Sequence, residues 1–301
     1  MYDFVSIGNI SVDTFFQGES LTHDKERFNL AIGGKYFVDK VVQTLGGGGA
    51  NVAIGVAKHK LKSAVLGTIG NNSFKKMILE SLNEYNVSTE LCTFEDNFTN
   101  VSSILLTPDG EKTVIHYSSP HQHILKDVNY RIFKTKLVYL GNVPEISIYE
   151  RMRFLEKLQF MKIKCIVNMG IRDCRLPKSA LTFFLDHVNV LIVNGHEFAE
   201  LVKAPYVDIH FKEDVVSWYL PNMKKKLVIV TEGKHGSYAY HNGNVYHQPV
   251  FPIEKIVDET GAGDAYTAGF IAGYFKSDDI RLAMKEGTQY ALKILGKIGA
   301  N

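Results

Sequence analysis

The chain has 301 residues, enough for one large α/β domain or two smaller ones with a sizeable buried core. Its 45% hydrophobic and 22% charged residues are the proportions of an ordinary soluble globular protein. A net charge of +2 supplies no general attraction toward nucleic acid or a membrane, and neither is expected as a partner. Cys92, Cys165 and Cys174 are widely spaced and form no Cys-x-x-Cys, which points to buried or incidental thiols in a reducing compartment. Met1 leads straight into an apparent strand, and no apolar run is long enough to span a bilayer, so a cytoplasmic location is expected.

Phe4 to Ile7 predicts a first strand, ended by Gly8-Asn9, with Asp13 close behind where the chain leaves the sheet. From Thr14 to about Leu45 the texture changes. Phe15-Phe16, Phe28 to Ile32 and Lys35 to Val38 suggest short strands around Gly33-Gly34, with no helical period. Gly46-Gly47-Gly48-Gly49-Ala50-Asn51 then opens a helix near Ala50, because Val52, Val56 and Leu61 recur at helical spacing. Ser63 to Gly70 predicts a strand and Ser73 to Tyr85 a helix. Asn100 to Leu106, Pro108-Asp109-Gly110 and Lys112 to Tyr117 form a strong hairpin signal, two β-rich runs around a tight turn.

The alternation then becomes regular. Strands are predicted at Leu137 to Leu140, Ile163 to Val167, Val188 to Val193 and Leu227 to Val230; helices are predicted at Ile146 to Met161, Ala180 to Asp186 and Asp279 to Leu295. Such alternation argues a doubly wound, mostly parallel sheet that binds ligands at the carboxyl ends of its strands. Asn194-Gly195-His196-Glu197 follows one of these strands and has the spacing of a capping box. Thr231-Glu232-Gly233-Lys234-His235-Gly236 follows another and reads as a turn.

The most informative stretch is Asp258-Glu259-Thr260-Gly261-Ala262-Gly263-Asp264, running into a helix that begins near Asp264. Glycines at 261 and 263 let the backbone bend and leave its N–H groups unshielded. At a helix N-terminus such groups attract an anion. Asp264, a carboxylate in that place, is either an N-cap or a general base beside an oxyanion hole.

This last stretch, with Ala268-Gly269-Phe270 behind it, resembles the C-terminal signature of the ribokinase-like (pfkB) family of ATP-dependent sugar and nucleoside kinases. The resemblance implies one kinase domain over residues 1–301. Its expected form is a three-layer α/β/α sandwich with a small β-sheet lid formed by about 14–45 and 99–118. It also implies roles. Asp264 would be the base and Gly261, Ala262 and Gly263 the anion hole. Asn9, Asp13, Gly47, Gly48 and Asn51 would line the sugar site, although Gly48 stands where some relatives carry Lys. Asn194, Thr231, Gly233 and Gly236 would approach the nucleotide. Glu197 would hold Mg²⁺ through water, since Mg²⁺ keeps several waters and takes few protein ligands. Asp258 and Thr260 would contribute to a monovalent-cation site for K⁺. The family's adenine pocket closes near Gly299-Ala300-Asn301.

The implied activity is transfer of the γ-phosphate of Mg-ATP to a hydroxymethyl group of a ribose- or fructose-like sugar. The alternative acceptors are a nucleoside or a sugar phosphate; the latter would want Lys35 or Lys112 on the lid. A homodimer through the lid is the expected assembly. A non-catalytic sensor on the same fold would have no need of Asp264. A Rossmann dehydrogenase would place its glycine fingerprint straight after the first strand, where Gly8-Asn9-Ile10 does not fit.

Overall fold

The structure, a computed structural model, describes residues 1–300 apart from 26, 120–123, 126, 127, 131, 132, 253–255, 257, 297 and 298; Asn301 lies outside the described residues as well. The chain enters through β1 (Phe4–Ile7), passes β2 (Ser11–Gln17) and β3 (Lys40–Gly46), and turns into α1 (Gly48–Lys58). There follow β4 (Ser63–Leu66), β5 (Thr68–Gly70), α2 (Lys75–Glu84), β6 (Thr93–Glu95) and the hairpin of β7 (Asn100–Leu106) and β8 (Lys112–Ser118). Alternation resumes with β9 (Leu137–Leu140), α3 (Ile148–Phe160), β10 (Lys164–Asn168), α4 (Ile171–Cys174), α5 (Lys178–Leu185), β11 (Val190–Asn194), α6 (Gly195–Val202) and α7 (Val215–Tyr219). Last come β12 (Leu227–Thr231), β13 (Ser237–His241), β14 (Asn244–Gln248), α8 (Ala262–Ser277) and α9 (Ile280–Leu295).

Among the described residues the main sheet has eight strands in the order β14-β13-β12-β11-β10-β9-β1-β4. From β4 to β12 the neighbours are parallel, and β13 and β14 add an antiparallel edge. Strands such as Leu227-Val228-Ile229-Val230 are almost continuously aliphatic because both faces of the sheet are covered. On one face Val138, Leu140, Val167 and Leu191 share a core with Phe154, Leu158, Phe184 and Phe198 of α3, α5 and α6. On the other, Leu137, Tyr139, Ile166 and Ile192 pack with Val52, Val56, Phe270 and Ile294 of α1, α8 and α9. This is the α/β/α sandwich expected from the sequence. Strand order reverses around β1, which has β4 on one side and β9 on the other. Such a reversal opens a crevice beyond the carboxyl ends of the strands.

A separate four-stranded sheet, β3-β2-β7-β8, rises from that crevice. Its register sets Asp13 opposite Thr44 and Ser102, and Ser102 opposite His116, so these four side chains share one face. Two expectations are corrected here. The runs at Phe28 to Ile32 and Lys35 to Val38 form no strands beyond one bridge between His23 and Phe28; the partner of β2 is Lys40–Gly46 instead. Leu30, Ile32 and Phe37 are exposed, so their apolar character records no core-facing strand. The run from Ser63 to Gly70 is also two strands rather than one, broken at Gly67, where a side chain would meet the Gly8 carbonyl oxygen at 2.8 Å.

The site is positioned by α1 against α8. A Cβ on Gly55 would lie 2.5 Å from the Ala268 Cβ and 3.0 Å from the Tyr290 ring, so only glycine permits this helix contact. One turn toward the N-terminus of each helix stand Asn51 and Asp264. Gly55→Ala should gain about 1 kcal/mol of helix propensity yet destabilise the protein by a net ~1–3 kcal/mol through overpacking. Urea unfolding checks the sign; an unchanged or raised midpoint would show that the helices can separate freely.

Candidate active site

α8 begins at Ala262, two residues before the start near Asp264 that the sequence suggested. Its N-cap is Gly261, at φ 77°, and Asp264 lies within the first helical turn, so Asp264 is not the N-cap. The left-handed conformation favours glycine at 261, and a Cβ there would also strike Ala300. Gly263 differs: a Cβ on it would meet nothing within 4 Å, so the loop faces open space. Helix geometry leaves the first N–H groups, those of Gly263 and Asp264 included, without acceptors inside the helix. They supply partial positive charge at the mouth of the crevice.

Asp264 is half-buried. Its Oδ2 accepts a 2.8 Å hydrogen bond from Asn51 Nδ2, across the two helix N-termini. Burial pushes its carboxyl above the ordinary range; the Asn51 amide opposes this and the nearby Asp13 carboxylate reinforces it. A Cβ on Gly48 would sit 3.3 Å from Asp264 Oδ1, so a longer side chain at 48 would be aimed at the carboxylate. Asp13 is buried. Burial raises its carboxyl, while hydrogen bonds from Ser102 and Ser11 and the charge of His116 lower it. Gly46, opposite Ser11, has no side chain because the Asp13 carboxylate fills that space. The Asn9 carbonyl takes the N–H groups of Gly49 and Ala50, tying the end of β1 to the start of α1. Gly47, at φ 88°, is pressed against that same carbonyl.

A second group lies at the ends of β11 and β12. Asn194 Oδ1 accepts from the Glu197 N–H at 2.8 Å, and Glu197 Oε2 accepts from the Asn194 N–H at 2.8 Å, completing the capping box. Burial pushes Glu197 up to about 7 against the pull of that N–H. Thr231 ends β12, paired with Ser237. Gly233, at φ 50°, faces open space, whereas a side chain on Gly236 would collide with the backbone at Gln248. The positive φ favours glycine at both positions, and the backbone collision is an added reason at Gly236 alone.

Three residues outside the expected set join the site. Ser102 and His116, linked at 3.1 Å, flank Asp13, and the alternation of the hairpin was their signal. Tyr139 is fully buried; burial and then the charges of Asp264 and Glu197 push its phenol far up. Its signal was a phenol within an aliphatic central strand.

The expected cation sites differ in fit. Among the described residues no three His, Cys, Asp or Glu side chains gather as a metal cage. Mg²⁺ held through water by Glu197 fits, because its Oε2 is taken by the Asn194 N–H and Oε1 is left for a water. Asp258 and Thr260 do not fit a diffusible K⁺. The Lys112 ammonium donates to Asp258 Oδ1 at 3.0 Å and to Thr260 Oγ1 at 2.7 Å. Asp258 Oδ1 also accepts the Thr260 N–H at 2.9 Å, and Oδ2 the Gly299 N–H at 3.1 Å. Burial alone would raise the Asp258 carboxyl, but these donors together hold it below the ordinary range.

The pfkB family carbohydrate kinase model matches residues 20–301. A nucleoside kinase from Methanocaldococcus jannaschii is 26% identical over 284 residues, 93% of this chain and 86% of that protein. The probable fructokinase-6, chloroplastic, of Arabidopsis thaliana is 28% identical over 270 residues, covering 85% of this chain and 68% of that protein. The structure of Arabidopsis thaliana ribokinase complexed with ribose and ATP superposes with a TM-score of 0.77 at 20% identity, over 99% of this chain and 94% of that one. The chain belongs to the pfkB family of carbohydrate kinases. It has the ribokinase fold and is a phosphotransferase with an alcohol group as acceptor. Among its described residues no helix is long and apolar enough to cross a membrane.

Glu197 gives a test of the site's electrostatics. Its carboxyl ionises near pH 7 in the folded protein against 4.5 ordinarily, so the cost of burying the charge is absent below about 4.5 and complete above about 7. Glu197→Gln keeps an acceptor for the Asn194 N–H. It should match the wild type at pH 4 and exceed it in stability at pH 8 by on the order of 1–3 kcal/mol. Urea unfolding at the two pH values measures the gap; a gap of the same size at both would show that burial of charge is not its source.

Proposed function

We propose that the chain transfers the γ-phosphate of Mg-ATP to the hydroxymethyl group of an unphosphorylated sugar of ribose or fructose type. The observation that carries this reading is the meeting of Asp264, Asn51 and the Gly261–Gly263 loop at the convergent ends of α1 and α8, beside Asp13. The loop N–H groups stabilise charge developing on the transferring phosphoryl group. Asp264 accepts the proton of the acceptor hydroxyl, and its raised pKa makes it a stronger base than an exposed Asp. Asn51 fixes which carboxylate oxygen faces the acceptor. Asp13 takes two sugar hydroxyls, using both lone-pair faces of its carboxylate. Mg²⁺, held through water by Glu197, would neutralise phosphate oxygens. Asn194, Thr231 and Gly233 bound the nucleotide side, where the space above Gly233 is open.

The preference for an acceptor without phosphate rests on the lid. Of its two lysines considered for a second phosphate, Lys35 lies exposed with its ammonium over the Phe37 ring, and Lys112 is engaged by Asp258 and Thr260. A nucleoside is the second acceptor class, favoured by the 93% coverage of this chain by the M. jannaschii nucleoside kinase. The four-stranded sheet carries exposed Val41, Ile115 and Tyr117 on the face opposite Asp13. A homodimer through this lid would cover them.

ADP release from Mg-ATP with ribose, fructose, their phosphates and nucleosides should show turnover with free sugar; turnover with a nucleoside alone would transfer the proposal to the second class. Asp264→Asn, which keeps an acceptor for Asn51, should fold normally and lose turnover by ~10²-fold or more. Near-normal turnover in that variant would remove Asp264 from the role of base. Gly263→Ala should leave the melting temperature unchanged or raised, because its methyl enters open space, and still weaken ATP turnover. Gly261→Ala should destabilise the protein outright. Light scattering should find a dimer that Tyr117→Lys dissociates, and a wild type that is monomeric at every concentration would refute the lid interface.

A further inference from the structure

A basic side chain from the lid reaches the segment that leads into the anion loop. Lys112 opens β8, on the face of the four-stranded sheet shared with Asp13, Ser102 and His116. From there its ammonium reaches Asp258 and Thr260, 146 and 148 residues on, and Thr260 directly precedes Gly261. Asp258 is 2% exposed, and its two oxygens serve the Thr260 hydroxyl and N–H, the Gly299 N–H and Lys112. Lys112 is thus the sole full positive charge recorded on this carboxylate among the described residues. A buried carboxylate without a counter-charge is strongly unfavourable, so some cation belongs here. A lysine ammonium is a compact monovalent charge with rotatable donors, similar in form to a small cation carried on a flexible stem.

We infer that Lys112 is a tethered cation that takes the place of a diffusible monovalent ion at Asp258–Thr260 and pins the lid hairpin to the anion loop. Two consequences follow from the geometry. The enzyme needs no K⁺ for either stability or turnover. Withdrawal of the lid also removes the charge that holds Thr260, and with it the adjoining Gly261, so lid position and the shape of the anion hole are coupled. Lys112 acts through Asp258 and Thr260 and is a positioning residue. The link to turnover rests on the proposed role of the Gly261–Gly263 loop, whereas the cation site itself does not.

The test compares wild type and Lys112→Ala in KCl, NaCl and choline chloride at one ionic strength, reading melting temperature without substrate and, separately, ADP release. The wild type should melt at the same temperature in all three salts. Lys112→Ala should melt lower in choline and recover by about 2–4 °C in saturating K⁺, as expected when an ion binds only the folded form. Its turnover should become K⁺-dependent by ~10-fold or more, the size of an ordinary coupling between two sites. A K⁺-specific rise in the wild-type melting temperature would overturn the inference, and so would a Lys112→Ala protein indifferent to K⁺. Should Lys112→Ala fail to fold, Lys112→Gln, which keeps length without charge, carries the same test. An enzyme inactive on every acceptor, yet with the expected melting pattern, would refute the proposed reaction and leave the tethered cation standing.

Discussion

The hydrogen bond from Asn51 to Asp264 joins parts of the chain 213 residues apart, and the geometry of the site depends on it. It forms because Gly55 and Ala268 let α1 and α8 approach with no side chain between them. With that contact set, the two helices bring their N-termini together, and one turn back from the contact a single polar pair meets. Both helix ends bring partial positive charge to the same crevice, with the N–H groups of Gly49 and Ala50 at the α1 end taken by the Asn9 carbonyl. The crevice itself follows from strand order, since β1 sits where the sheet changes direction.

The site is crowded with negative groups for a protein that handles phosphates. Asp13, Glu197, Asp258 and Asp264 all border it, and Asp13 and Asp264 disfavour each other's ionisation, as do Asp258 and Asp13. Each carboxylate is balanced differently. Asp258 has Lys112 and three other donors, Asp13 has serine hydroxyls and His116, Asp264 has an amide and a helix end, and Glu197 has one N–H. Asp13, Glu197 and Asp264 are all left with raised pKa values, and of the four only Asp258 is lowered. In the proposed mechanism Asp264 exchanges a proton, Glu197 faces a cation and Asp13 takes sugar hydroxyls, whereas Asp258 is held ionised to organise backbone.

Much of the fold was legible because it is written in local patterns. The aliphatic run Val190 to Val193, inside the predicted strand Val188 to Val193, has the length and β-branched character of a buried strand, and the Pro108-Asp109-Gly110 turn between two β-rich runs signals a hairpin. The exceptions are instructive. Leu30, Ile32 and Phe37 carry strand-like character into an exposed loop, and nothing local says that Lys40–Gly46 is the segment that pairs with β2. Pairing is decided by register between distant segments, which periodicity does not encode.

By itself the sequence determined the doubly wound sheet, the glycine-rich helix starts and the identity of the acidic and amide side chains at them. Each of these is a property of a few adjacent residues: a hydrophobic period, a glycine at a positive φ, a polar group at the end of a strand. Only the tertiary structure decided which of those side chains meet. Asn51 could be known as a helix-start amide, but not as the partner of Asp264. Gly233 and Gly236 look alike in sequence, yet one faces open space and the other a backbone wall. Lys112 could be named as a lid lysine, but its engagement with Asp258 and Thr260 appears only once the hairpin folds over the loop. Contacts at this separation depend on the packing of the whole chain, and that is why no local pattern announces them.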